Sequence, residues 1–236
     1  CLTTRHCLTA RFMSPSTFEE VHNMSETKTP WLKNYGDVPF HLDYQECSMW
    51  EAVEKIAEKY PNNTAYIFMG KKTTYKEFAQ SVEICARALK AIGIRVGDKI
   101  TICMPNCPQT VIMFYAVNLV GAIANMVHPL SSEKEIEFYI KESRSIAAIT
   151  LDQFYHKFEA IRENVDLAHI ILARIKDELS KPIRAGYMLT EGRKIKKIPK
   201  DAPVTMWNYF MEQGKRYHWK YRAVRDPHDP AVILYS

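Results

Sequence analysis

From Ser48 onward the chain alternates two patterns, apolar positions at helical spacing and short unbroken apolar runs. Ser48 followed by Glu51 is a capping-box pattern, and Trp50, Val53, Ile56, Ala57 and Tyr60 then recur one helical turn apart, so an amphipathic helix is predicted to end before Pro61. Thr64 to Met69 reads as a strand turning at Gly70. Thr74 with Glu77 opens a second helix, carried by Phe78, Val82, Cys85, Leu89 and Ile92 and closed by Gly93. Strands are predicted at Lys99 to Met104, Ala122 to Val127, Ile146 to Thr150 and Ala168 to Ala173. Between them lie a helix from Pro108 to Gly121, one capped by Ser132 and Glu135 and running to Glu142, and one capped by Asp152 and running to Asn164.

Strands this apolar need cover on both faces. The predicted fold class is therefore α/β: a doubly wound, mostly parallel sheet of right-handed βαβ units flanked by helices. Such a fold names no function by itself.

Composition changes the picture in three places. At 236 residues, 47% apolar and 25% charged, the chain has enough material for a substantial core. Residues 1–23 stand apart: Arg5 and Arg11 occur among Ser and Thr, acids begin at Glu19, and no apolar period is visible. They match a transit peptide or, as we prefer, a leader or non-native extension read through to a start at Met24. The expected division is then 24–47 as an extended segment and 48–236 as one α/β subdomain. The cysteines, Cys1, Cys7, Cys47, Cys85, Cys103 and Cys107, have neither metal nor disulfide spacing and fit a reducing, cytoplasmic setting. No run reaches the roughly 18 apolar residues of a membrane span.

Charge is the third place. From Arg174 to Arg222 there are 13 Lys/Arg against 5 Asp/Glu, whereas the rest of the chain is net acidic. This segment, 174–222, carries Gly and Pro punctuation and one predicted short helix, Val204 to Gln213, and reads as an excursion from the sheet. It is a solvated basic face or a contact for an anionic partner: coenzyme phosphates, an acidic membrane surface or nucleic acid. Interleaved Trp207, Tyr209, Phe210, Tyr217, Trp219 and Tyr221 favour a surface that packs on something.

Dedicated catalytic motifs are missing: no Gly-rich dinucleotide or Walker loop, no His-Glu-x-x-His and no Gly-x-Ser-x-Gly occur. No catalytic residue and no metal ligand are therefore assigned. His128, before Pro129 at a predicted strand end, reads as a strand-end residue, and Asp226, His228 and Asp229 read as a polar turn.

Several blocks carry a resemblance. Trp31-Leu32-Lys33-Asn34-Tyr35, Val38-Pro39, Asp43-Tyr44, Thr73-Thr74-Tyr75-Lys76-Glu77-Phe78, Met104-Pro105-Asn106, Asn118-Leu119-Val120-Gly121-Ala122 and Pro129-Leu130-Ser131 resemble, in order and spacing, bacterial acyl-CoA synthetases of the adenylate-forming, AMP-binding superfamily. Tyr187 to Lys194 with Ile198-Pro199 is similar to the excursion of its fatty acyl-CoA ligases. The resemblance implies a two-step ligase using ATP, Mg²⁺ and CoA on a fatty acid, with Tyr235 and Ser236 matching only the start of the ATP phosphate loop. It implies too that the chain is less than half of a typical member and inactive alone, with the remainder of the polypeptide as its partner. Peripheral membrane contact and self-association are admitted by this reading, and nucleic acid is not expected. The alternatives are an anionic-surface or nucleic-acid binding module using 174–222, a regulatory half-protein ending at Ser236, and an adenylate-forming ligase with a carrier-protein acceptor.

Overall fold

The computed structural model describes residues 29–39, 41–42 and 44–235; the expectations for residues 1–23 and for Ser236 lie outside the described residues. The chain divides into two compact units, Cys1–Gln45 and Glu46–Ser236. The described part of the first holds one short 3-10 helix, Pro30–Asn34, begun by a proline whose fixed φ suits a first turn. The second unit holds the remaining described elements.

In chain order it opens with helix α1 (Met49–Lys59), strands β1 (Thr64–Phe68) and β2 (Lys71–Thr74), and helix α2 (Tyr75–Ala91). Strand β3 (Lys99–Cys103), helix α3 (Pro108–Leu119), strand β4 (Ile123–Met126), helix α4 (Glu133–Ser143), strand β5 (Ala147–Leu151), helix α5 (Tyr155–Ile161) and strand β6 (His169–Ala173) come next. Helix α6 (Lys181–Leu189), strand β7 (Thr205–Met206), helix α7 (Trp207–Arg216) and strand β8 (Val232–Ile233) complete it.

Three helices begin with the reciprocal cap that their sequences specify. In α1 the Glu51 amide donates to Ser48 Oγ at 3.3 Å while the Ser48 amide donates to Glu51 Oε2 at 2.6 Å. Thr74 with Glu77 does the same for α2, and Ser132 with Glu135 for α4. Each box satisfies two amides that a helix start leaves without partners.

The sheet has the strand order β7-β6-β5-β3-β4-β8, and every pairing is parallel. Alternation along each strand sends side chains to opposite faces. Ile100, Ile102, Ile149, Leu151 and Ile171 pack with buried residues of α1, α2, α3 and α7, among them Trp50, Val82, Met113 and Phe210. Ala148, Ile170 and Leu172 face the other way, into Ile136, Ile140, Phe158 and Ile161 of α4 and α5. Helices thus cover both faces, as a doubly wound sheet requires. Because β4 lies on one side of β3 and β5 on the other, the chain reverses its direction of growth beside β3.

Local expectations need correction in two places, the first strand and the helix from Asp152. The first strand does not enter the parallel sheet: β1 pairs antiparallel with β2, Phe68 opposite Lys71, across a turn in which Met69 and Gly70 take φ of 48° and 79°. Two left-handed residues make a tight hairpin, and the polar run Lys71–Thr74 gives no apolar pattern by which to foresee its second strand. The helix expected from Asp152 breaks into a 3-10 turn (Asp152–Phe154), α5 and a second 3-10 turn (Arg162–Asn164). Asp152 Oδ1 accepts from the amide of Gln153, its neighbour, instead of the second or third helical amide that a cap would take.

The basic segment is the excursion expected: it leaves the sheet and comes back, its helix at Trp207–Arg216 instead of 204–213. Thr205 and Met206 pair with Ile171 and Leu172, and α7 buries Trp207 and Phe210 in the core. Helix α6, which the sequence pattern did not predict, buries none of its residues.

Candidate functional site

All six parallel strands point their carboxyl ends to one edge of the sheet, where crevices for ligands form beside a topological reversal. Pro105 to Cys107 follow β3, His128 follows β4, Asp152 follows β5, Arg174 follows β6, and Leu234 and Tyr235 follow β8. Strand β8 is held to β4 by the pairs Ala124 with Val232 and Asn125 with Ile233, so the chain after it emerges at this edge.

Tyr235 is fastened there. Its ring lies 4.1 Å from that of Tyr139 in α4, centroid to centroid, and its hydroxyl donates to the Tyr139 carbonyl at 3.3 Å. Burial pushes the Tyr235 hydroxyl above its ordinary value, so it stays a neutral donor at physiological pH. The side chain is thus committed to α4, and what Tyr235 contributes is the course of the backbone at the sheet's edge.

Beneath it is a buried polar network that the sequence reading missed. Ser143 Oγ gives its proton to the Tyr139 carbonyl at 2.7 Å, which makes Ser145 the donor in the 2.8 Å contact between the two serine hydroxyls. Thr101 Oγ1 donates in turn to Ser145 Oγ at 2.9 Å, and Asn125 Nδ2 gives its two protons to Thr101 Oγ1 and Ser143 Oγ at 2.9 and 3.0 Å. Asn125 Oδ1 alone has no partner. The single signal available beforehand was an asparagine inside the apolar run Ala122 to Val127. Buried polar groups of this kind fix one strand register, because any slip leaves them unpaired.

The other candidates are structural. His128 is exposed and its Nδ1 accepts from the Leu130 amide at 3.2 Å, a strand-end turn. Asp226 Oδ1 accepts from His228 N at 2.8 Å and Asp229 Oδ2 from Asp226 N at 3.2 Å, which is the polar turn expected. Cys103 is no nucleophile, because burial pushes its thiol up to about 12. Among the described residues no three His, Cys, Asp or Glu side chains form a group that could hold a metal ion.

At the same edge, beside β5 and β6, a cleft of about 740 Å³ is lined by Asp152, Arg174, Lys176 and residues of the basic segment, including Arg193, Lys197 and Lys200. Burial raises Asp152 above its ordinary value, while Arg174 Nε is held by Asp177 at 3.1 Å. Ser236, the second of the two expected site residues, lies outside the described residues.

Comparison with known proteins gives this arrangement a family. The model of the AMP-binding enzyme family matches residues 53–236. The chain is 29% identical over 213 residues to a long-chain-fatty-acid–CoA ligase of Bacillus subtilis, covering 89% of this chain and 38% of that protein. It is 31% identical over 153 residues to a long-chain-fatty-acid–CoA ligase of Yersinia pestis, covering 64% of this chain and 27% of that protein. It therefore spans well under half the length of these curated relatives. A long-chain-fatty-acid–CoA ligase from Archaeoglobus fulgidus has the same fold, with a TM-score of 0.63 at 18% identity over 83% of this chain and 35% of that one. So has an anthranilate CoA ligase in complex with anthranoyl-AMP, with a TM-score of 0.60 at 18% identity over 78% and 31% of the two chains.

Proposed function

This chain belongs to the AMP-binding enzyme family, and from that premise we propose that residues 48–236 are the N-terminal α/β subdomain of an ATP-dependent acyl-CoA ligase acting on a fatty acid in the cytoplasm. In the first step a carboxylate oxygen attacks the α-phosphorus of ATP and the bond to the β-phosphate breaks, leaving acyl-AMP and pyrophosphate. In the second the sulfur of CoA attacks the acyl carbon, the bond to AMP breaks, and the thiol proton is lost to water.

The difficulty of the first step is anion meeting anion, which backbone amides, cations and Mg²⁺ relieve by neutralising the phosphates. Among the described residues no group of His, Cys, Asp and Glu side chains could hold Mg²⁺. Their part is positional: β4, α4 and the Asn125 network hold β8 and Tyr235 at the carboxyl edge, and the residues after Tyr235 would begin the phosphate loop. The observation that carries the reading is this seating of β8 on β4, one strand from the reversal at β3, within the matched span. Free thiols at Cys47, Cys85, Cys103 and Cys107 support the reducing compartment.

We assign no chemistry to residues 1–236 alone, since they contain no Gly-rich Ser/Thr loop. Fatty-acid-dependent ATP–pyrophosphate exchange tests this. Purified residues 1–236 are expected to give none above background, and robust exchange overturns the assignment. The coding sequence past the Ser236 codon is expected to continue with Gly-rich Ser/Thr residues and then Pro-Lys-Gly. A frame without that loop removes the ligase reading.

A further inference from the structure

Strand β8 has two residues in the ladder, Val232 and Ile233, and just ahead of them the Ala124 amide donates to the Ala231 carbonyl at 3.0 Å. So short a pairing gives the ladder few bonds with which to resist slipping along β4. Tyr235 on Tyr139 fastens its carboxyl end. The amino end needs a holder of its own.

Arg225 is placed there, with its side chain 7% exposed. Nη1 donates to the Gly121 carbonyl at 2.7 Å, in the turn between α3 and β4, and Nη2 donates at 2.7 Å to the carbonyl of Pro230, the residue before Ala231. One guanidinium thus joins the start of β4 to the start of β8 by two short, charge-assisted bonds. The Gly121 carbonyl also accepts from the Gly97 amide at 2.8 Å, so the anchor is tied in turn to the loop before β3. The polar turn 226–229 closes the arrangement: Asp229 Oδ2 lies 3.5 Å from Arg225 Nε and accepts from the Asp226 amide at 3.2 Å. The chain can run this close because residue 121 is glycine; a Cβ there would lie 2.8 Å from that of Ala223.

We propose that Arg225 is a positioning residue, which sets the register of β8 on β4 and with it the point where the chain past Tyr235 enters the crevice at the carboxyl edge. The second half rests on the proposed ligase function, in which that chain begins the phosphate loop; the first half does not. A guanidinium suits the task because its rigid planar fork holds two carbonyls at once, which an ammonium on a flexible stem does not. A residue that only adds stability would, when replaced, loosen every strand alike. A register lock, when replaced, loosens β8 alone.

Hydrogen exchange of the full-length polypeptide separates the two. The Ala124 amide reports on β8, and the Ile146 amide, bonded to the Lys99 carbonyl at 3.0 Å beside the pairing of β3 with β5, is the control. Arg225→Lys is expected to speed exchange at Ala124 roughly tenfold, the loss of one charged bond, and to leave Ile146 unchanged. Asp229→Asn, which keeps the fork and removes its ionic partner, should have a smaller effect at the same amide. Equal acceleration at both amides, or none at Ala124 in either variant, overturns the proposal. In the same polypeptide Arg225→Lys should raise the KM for ATP and leave that for the fatty acid unchanged, and equal rises in both overturn the placing of the loop. A parent without fatty-acid-dependent ATP–pyrophosphate exchange removes the ligase reading, and the two amides then decide the register lock on their own.

Discussion

Tyr235 stacks on Tyr139 with ring centroids 4.1 Å apart and donates its hydroxyl to the carbonyl of the same residue at 3.3 Å. Strand β8 has only two residues in the ladder, so this contact carries much of the positioning at the edge of the sheet. Tyr235→Ala is expected to cost about 2 kcal/mol, a half-buried aromatic lost with its stacking, and Tyr235→Phe about 1 kcal/mol or less. Urea unfolding measures both. Equal effects of the two substitutions would show that the hydroxyl, not the ring, does the holding.

The Asn125 network should be the most sensitive polar feature of the core. Asn125→Ala strips Thr101 Oγ1 and Ser143 Oγ of their buried donor and is expected to cost about 3 kcal/mol. A double-mutant cycle with Ser143→Ala should then show strong coupling, because both changes break the same circuit. Additive effects would mean that the network does not act as a unit.

These two features mark where sequence reasoning runs out. The helices announced by Ser48 with Glu51, Thr74 with Glu77 and Ser132 with Glu135 were legible because a cap is a local matter: two side chains three residues apart settle it. The apolar strands β3 to β6 were legible because burial on both faces leaves no alternation to misread. By contrast, β2 consists of Lys, Lys, Thr and Thr, and its strand state comes from pairing with β1. Strand β7 and the seat of α7 depend on contacts with residues far along the chain, Ile171 and Leu172. Of the site, the sequence offered only the resemblance of Tyr235 and Ser236 to the start of a phosphate loop; the partners Tyr139 and Asn125 are 96 and 110 positions back from Tyr235 and carry no motif.

Two glycines test the packing in opposite directions. A Cβ added at Gly214 in α7 would collide with the Ile84 carbonyl of α2 and lie 2.9 Å from the Ala88 amide nitrogen. Both are backbone atoms, so α7 must move, and Trp207 and Phe210 with it. Gly214→Ala is expected to cost about 3 kcal/mol. Gly186 in α6 meets nothing within 4 Å, and there the same change should follow helix propensity and stabilise by about 0.5 to 1 kcal/mol. Thermal unfolding of the two variants gives the signs, and a stabilising Gly214→Ala would refute the close approach of the helices.

Arg222 ties the returning strap to two helices. Its Nη2 is 2.6 Å from Glu54 Oε1 in α1 and 2.6 Å from Glu83 Oε1 in α2, and its pairing with Glu54 pushes its guanidinium still further above its ordinary value. The side chain is 43% exposed, so water and salt screen these pairs. Arg222→Ala is expected to cost about 1 kcal/mol at low ionic strength and less in high salt. Salt-independent destabilisation would point instead to the stem of Arg222 packing on Tyr221.

Acid should weaken the fold through its capping boxes. The Thr74 amide holds the Glu77 carboxylate below its ordinary value, and the Ser132 amide does the same for Glu135. A carboxylate depressed in the folded state stabilises above the unfolded value of about 4.3, and that stability is lost as pH falls through the depressed one. Asp152 and Glu178 act in the opposite sense, since burial raises both and penalises their charged forms as pH rises. Melting temperatures followed from about pH 6 to about pH 3 should therefore fall for the parent chain. The fall should be shallower for Glu77→Gln with Glu135→Gln, which keep an acceptor but do not titrate, and steeper for Asp152→Asn, which removes an opposing group. If the double Gln variant melts in parallel with the parent across this range, the two boxes are not what acid breaks.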